Sequence, residues 1–422
     1  MSAAEKPASN ASMVELTGWQ SLKATFREPN YRVFTIGNIA SLVGTWVQRI
    51  TIGWLAWELT ESGTWLGAVA FADLFPMVIV TPLAGAFADR ADRLMTTRIS
   101  QALLMVQAGA LFLLTALGMM TIGVLLGLTL FGGIVTAFNQ PARMALLPNL
   151  VDRRHLPTAI AINSIVFNTA RFLGPMLAGV ILVSGNVALA FLLNFVTFGA
   201  FLVALMRIRL SERDATDLTD IGLFSSLMAG LRYVRGHFGL AAMLLTLASS
   251  AIFVRPILEL LPGYTDEFGL DVEAFALFTS VVGAGAVAGA VWLSLYGSPR
   301  LLTRLALLNG FLLSGALILA AATSSIAIAV VALTALGLGM VISGIASQTI
   351  IQLVVESRMR GRVLALHTVI FRGGPAIGAL AMGSASDLTG LALPLVIGGL
   401  ATLVVTGWAW SKRRAIWRSL DL

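Results

Sequence analysis

Four charged side chains sit where the sequence has little else that is polar. Arg49 and Asp73 fall within two consecutive apolar stretches, and Arg255 and Glu259 fall within a third. A charge near the centre of an apolar helix in lipid costs about 2.5–3.5 kcal/mol on insertion scales, so each needs a partner or a task. The chemistry open to such groups is proton binding, ion pairing and recognition of a charged ligand. Counted from the acidic turn at Glu61, Arg49 and Asp73 are each 12 residues away. That sets them at matching depth in a helical hairpin and lets them pair. Either the pair braces the hairpin, or Asp73 takes a proton while Arg49 tunes it or binds an anion. Arg255 and Glu259 are spaced for one helical face and predict a second pair, with Pro256 bending the helix. Asp73 and Glu259 are thus the candidates for proton binding.

Polar side chains accompany them. Asn38, Ser41, Thr45 and Gln48/Arg49 form a stripe at helical spacing, and Asn139, Gln140, Gln348 and Gln352 add amides in two later stretches. Asn38, Thr45, Gln48, Arg49, Asn139, Gln140, Arg255, Gln348 and Gln352 are the candidates for lining a ligand cavity. Arg143, Arg171 and Arg372 lie within or near the inner halves of their stretches and read first as inner-gate and interhalf contacts and second as ligand groups. Other chemistries find no support. There is no Cys, and His155, His237 and His367 are far apart in sequence, so no metal site is expected. No phosphate-binding loop and no cluster of catalytic His, Asp or Ser occurs, so neither an enzyme nor a cofactor is expected.

The elements that position these groups follow from hydropathy. A chain that is 57% hydrophobic and 12% charged, with mean hydropathy +0.88, is no ordinary soluble domain. A membrane-crossing helix needs roughly 20 apolar residues. Twelve such stretches fall near 33–57, 64–87, 96–118, 121–146, 158–183, 187–207, 238–262, 273–296, 301–323, 325–352, 361–384 and 390–411. Alternate loops carry the basic residues, as in Arg90/Arg93, Arg153/Arg154, Arg207/Arg209 and Arg358/Arg360/Arg362. The intervening loops have no Lys or Arg and carry Glu58, Glu61, Asp266, Glu267, Asp271 and Asp387. This is the positive-inside pattern, and it predicts a multi-pass protein of the cell inner membrane with both termini cytoplasmic. The net charge of +7 is then explained by lipid head groups and topology, not by nucleic acid. The polar first 30 residues contain no cleavable signal peptide.

The expected organisation is a cytoplasmic arm over 1–30, a six-helix half over 31–209, a cytoplasmic linker over 210–237, a second six-helix half over 238–411 and a tail over 412–422. Within the linker, Leu223, Leu227, Leu231 and Val234 share a face, which fits a helix on the inner membrane surface. Trp19, Leu22 and Phe26 suggest the same for the arm. Repeats at similar offsets point to duplication: "RFLGP" (171–175) recurs as "FRGGP" (371–375), "AGAF" (84–87) as "AGAV" (288–291), and Arg49 finds a counterpart in Arg255. Duplicated halves place a ligand site between them, near mid-membrane.

The segment "GAFADRADR" after the second stretch resembles the loop signature of the major facilitator superfamily, matching at Gly85, Asp89, Arg90 and Arg93. The resemblance implies a gating latch in which Asp89 meets a helix N-terminus of the other half and the arginines hold carboxylates and carbonyls. The counterpart "GAVWLSLYGSPR" lacks the Asp, so the latch is one-sided. "FREPNYRVFTIGNIASLVGTW", "FNQPARMALLPNLVDRRHLPTAIAINS", "LLPGYTDEFGLD" and "RMRGRVLALH" resemble the enterobactin-exporter-like group of that superfamily. "GPMLAG" resembles an antiporter motif through Gly174, Pro175 and Gly179, with Ala178 in place of a Gly.

The resemblance implies an all-α membrane protein of twelve helices in two halves, acting as a monomer. It would export a small organic molecule such as a drug, siderophore or metabolite by proton antiport and alternating access. Proton-coupled uptake of a metabolite is the alternative within the class. A non-transporting sensor with the same fold is the alternative outside it.

Overall fold

The computed structural model describes residues 18–90, 92–210 and 223–420, with backbone alone at 81–90, 223–226 and 299–300. Hydrocarbon offers no water to a backbone N–H or C=O, so an apolar segment satisfies these groups internally by coiling into a helix. Every regular element among the described residues is helical. The first half comprises α2 (Pro29–Thr60), α3 (Gly63–Arg90), α4 (Arg93–Ala116), α5 (Ile122–Leu146), α6 (Leu156–Val183) and α7 (Val187–Arg207), preceded by a short α1 (Trp19–Arg27). After α8 (Leu223–Arg235), the second half comprises α9 (Phe238–Phe253), α10 (Leu261–Asp266), α11 (Val272–Tyr296), α12 (Pro299–Ala322), α13 (Ile326–Val354), α14 (Ser357–Thr389) and α15 (Ala392–Ser411), followed by α16 (Arg413–Leu420). Eleven of these helices are long and apolar enough to cross a membrane. The twelfth, α2, has 32 residues and carries the polar stripe together with Arg32, Arg49 and Glu58.

The seventh crossing is not the single bent helix expected from sequence. Helix α9 stops at Phe253, a 3-10 turn spans Arg255–Leu258, and α10 starts at Leu261. Pro256 and Pro262 lack N–H groups and each occupies the first turn of a new element, where that loss is harmless.

Packing repeats between halves. Helix α2 rests on α6 and α7 as α9 rests on α14 and α15; α3 rests on α5 as α11 rests on α13; α4 rests on α5 and α7 as α12 rests on α13 and α15. The halves meet along α3 with α14 and along α6 with α11. Small residues permit these approaches. A Cβ at Gly67 would collide with the backbone of Ala379, one at Gly383 with the Gly63 carbonyl, and one at Gly179 with Ala276.

Three amphipathic helices decorate the end that bears the basic loops. Leu22 and Phe26 of α1 pack on the first half, while Trp19 stays exposed. Helix α8 does more than lie on a membrane surface: it packs on α14, where Gly230 meets the backbone of Arg362, and it buries Val234. The tail coils into α16 and buries Ile416 and Leu420 against α9 near Gly239. Residues 1–17 of the arm and 211–222 of the linker lie outside the described residues.

Candidate functional site

Arg49 projects from the middle of α2 and holds two carboxylates. Its Nε lies 3.3 Å from Asp73 Oδ2 on α3, and its Nη2 donates to Glu259 Oε1 at 2.8 Å, across the boundary between halves. These side chains remain 29%, 38% and 21% exposed for Arg49, Asp73 and Glu259, so the centre is accessible rather than sealed. The depth match from Glu61 located Asp73 correctly against Arg49. The expected pair of Arg255 with Glu259 does not form. The helix break removes the four-residue register, and the Arg255 guanidinium instead lies 3.8 Å from the centroid of the Phe371 ring.

Two further arginines, expected in the inner halves of their stretches as gate or interhalf contacts, lie beside this centre, and Arg372 does make a contact between halves. Arg171 on α6 lies over Trp46 at 5.8 Å, and Trp46 also underlies Arg49 at 5.4 Å. Arg372 on α14 reaches the Met77 sulfur at 3.3 Å. Arg49 and Arg171 thus share one ring, and Arg255 rests on Phe371, the residue before Arg372 in the chain. The signal was present in the duplicated "RFLGP" and "FRGGP", which set an arginine just before a Gly–Pro step in each half.

Several cavity candidates lie elsewhere. Gln48 is 9% exposed and joins a network in which its Nε2 donates to Gln107 and Asn194 donates to its Oε1, all within the first half. Asn139 is buried and donates to Ser100 Oγ at 2.8 Å. Asn38 is buried and donates to Asn163. Each satisfies a neighbouring helix, because an amide inside a bundle needs hydrogen bonds whether or not it faces a ligand. Thr45 is exposed with its hydroxyl on the Ser41 carbonyl, Gln140 is half-buried, and Gln348 and Gln352 are exposed on α13. Gly174 packs against Trp46, so the Gly174–Pro175 step seats α6 on α2 directly beside the charged centre. Of the latch residues, Gly85, Asp89 and Arg90 have side chains outside the described residues, and Arg93 donates to the Ala145 carbonyl at 3.3 Å.

The two ends differ. At the acidic end, one apolar cluster draws on both halves, with Ile52, Leu55, Leu66 and Val69 packed with Ile257, Leu260, Tyr264 and Phe275. Trp54 stacks on Phe275 at 5.1 Å. Asp387 at the end of α14 accepts from Ser62 Oγ and from the backbone N–H of Gly63 and Thr64, capping α3 from the opposite half. At the basic end, the clusters of the first and second halves are separate among the described residues. The same end holds Glu28, Asp152 and His155 with ligand-type atoms within 4.8 Å, a grouping not foreseen from the scattered histidines. His155 Nδ1 lies 3.5 Å from Glu28, tying the start of α2 to the connection between α5 and α6.

Twelve helices in two matching halves, with a charged centre on the seam, are the architecture of a major facilitator permease, a membrane transport protein and not an enzyme. Residues 20–420 match the family model of transmembrane secretion effectors (MFS_3), and the chain belongs to that family. It is 25% identical to the staphyloferrin A transporter of Staphylococcus aureus over 389 residues, covering 89% of this chain and 94% of the relative. It is also 25% identical to the enterobactin exporter EntS of Escherichia coli over 402 residues, covering 91% and 92%. Among solved structures, a bacterial homologue of the human lysosomal transporter Spinster aligns with a TM-score of 0.72 at 14% identity, over 93% of this chain and 98% of its own.

Proposed function

We infer that this protein exports a small organic molecule across the bacterial inner membrane in exchange for protons, by alternating access. The observation that carries this reading is the Arg49–Glu259 contact, an ion pair between halves at mid-depth beneath a sealed acidic end. The positive-inside pattern makes the basic end cytoplasmic, and the apolar cluster shared by both halves at the other end supports reading this state as closed on the outside. Substrate enters between the separated inner clusters and meets the arginines. Rocking the halves outward parts Ile257 and Phe275 from the α2 and α3 side chains and releases the Asp387 cap. Asp73 and Glu259 share one guanidinium, and protonating either frees Arg49 for the other or for substrate. The latch resemblance at Gly85, Asp89, Arg90 and Arg93 and the siderophore relatives support export.

Comparative metabolite profiling tests the direction. Cells lacking the protein should retain a compound that wild-type protein, but not a well-expressed Asp73→Asn or Glu259→Gln variant, returns to the medium. A compound left in the medium by the deficient cells would establish uptake instead.

A further inference from the structure

Charge does not balance at the centre. Arg49 and Arg171 share the Trp46 ring, Arg255 rests on Phe371 beside Arg372, and Arg372 reaches Met77 on the helix that bears Asp73; the carboxylates among them are Asp73 and Glu259, both held by Arg49. Four against two leaves an excess of two positive charges. Among the described residues, no carboxylate comes within ion-pair distance of Arg171, Arg255 or Arg372. A purely structural network at this depth would be expected to neutralise itself, because each unpaired guanidinium is costly inside a membrane protein.

The contacts these arginines make leave most of their donors without a protein acceptor among the described residues. Arg171 and Arg255 rest on the rings of Trp46 and Phe371, and Arg372 touches a methionine sulfur. A ring beneath a guanidinium attracts its positive charge and uses up none of its N–H donors. The fork of N–H donors stays available for a planar acid group. Arg171 comes from the first half; Arg255 and Arg372 come from the second. Resting on the transport reading above, we propose that the centre binds an organic polyanion bearing at least two carboxylates or comparable acidic groups, gripped by Arg171 on one side and Arg255 and Arg372 on the other. The ligand's two negative charges cancel the excess. That relieves the repulsion which otherwise resists drawing the arginines of the two halves together.

The test uses the full chain purified in detergent without added phospholipid, with citrate as the polyanion probe. Trimethyl citrate is the uncharged control, tetraphenylphosphonium the cationic one, and cardiolipin the lipid anion. Citrate should raise the thermal midpoint and bind by calorimetry, while the ester and the cation should not. Arg255→Gln and Arg171→Gln should each weaken citrate about tenfold or more, the expected scale for losing a charge-assisted contact. Arg255→Lys should retain part of the affinity, and Arg154→Gln, at an exposed surface pair, should retain all of it. Variants enter the comparison only if they elute as monodisperse protein, so misfolding does not count as lost binding. Equal effects of citrate and its ester, or binding of the cation instead, would overturn the polyanion while leaving alternating access intact. An Arg255-dependent response to cardiolipin alone would overturn it by assigning the centre to a lipid head group. Failure of the transport reading shows separately, as metabolite profiles unchanged by the protein.

Discussion

The first and seventh crossings occupy matching places in the two halves, and each carries an arginine at a corresponding point, Arg49 and Arg255. Their circumstances are opposite. Helix α2 runs unbroken for 32 residues, and its arginine is neutralised twice. The seventh crossing breaks into α9, a 3-10 turn and α10, and its arginine meets an aromatic ring. The break is what differentiates them. A continuous helix would keep Glu259 on the face of Arg255, one turn along. The 3-10 turn swings Glu259 across to Arg49 and leaves Arg255 without a carboxylate partner among the described residues. One of the two corresponding positions is an anchor between halves, and the other carries a cation with no carboxylate partner among the described residues.

The sharpest way to break this comparison is Arg49→Ala. It strands two carboxylates, and losing one partner of a fully buried pair costs about 3–5 kcal/mol, less here because the groups are partly exposed. Membrane yield should drop, and driven transport per molecule should be abolished, because neither carboxylate then has a guanidinium to exchange. Next comes the charge swap Arg49→Asp with Asp73→Arg. If the pair only braced the hairpin, the swap would restore transport. Because Glu259 also faces position 49, the swapped protein should stay defective, and recovery of activity would show that the contact between halves is dispensable. A smaller effect is expected from Pro256→Ala. Restoring an N–H favours a continuous helix and draws Glu259 back toward Arg255. Transport should decline several-fold without loss of thermal stability, whereas a lower thermal midpoint would mean that the break is a packing requirement. The mildest change is Phe371→Leu, which removes a cation–π contact worth about 0.5–2 kcal/mol. Substrate affinity should shift only a few-fold, and transport by a saturated protein should be unchanged.

Much of the architecture was legible before any coordinate. Loop charge and helix length located the crossings, and the turn at Glu61 was enough to bring Asp73 to Arg49. What depended on contact between distant segments was not. Whether Glu259 pairs with Arg255 or with Arg49 is decided by a backbone break and by docking of the halves 210 residues apart in sequence. The amides show another limit. A polar stripe reveals which face of a helix is polar, but a water-filled space and a neighbouring helix satisfy amides equally well, so the sequence did not show that Gln48 and Asn139 are buried against partners on neighbouring helices. Helix α16 had a readable pattern in Ile416 and Leu420, four residues apart, yet its eight residues are too few for periodicity to stand out.

The glycine contacts along the seam have a mechanical consequence. Where Gly67 lies on Ala379, Gly383 on Gly63 and Gly179 on Ala276, main chain touches main chain or a lone methyl, with no long side chain interposed. Interlocked side chains would have to change rotamer each time the halves tilt, and every such step adds a barrier. Smooth surfaces roll. On the alternating-access reading proposed above, the two lines of contact, α3 with α14 and α6 with α11, would act as a pair of bearings that fix the tilt axis, and a bulky residue at Gly67 or Gly179 is expected to jam the rotation while each half stays folded.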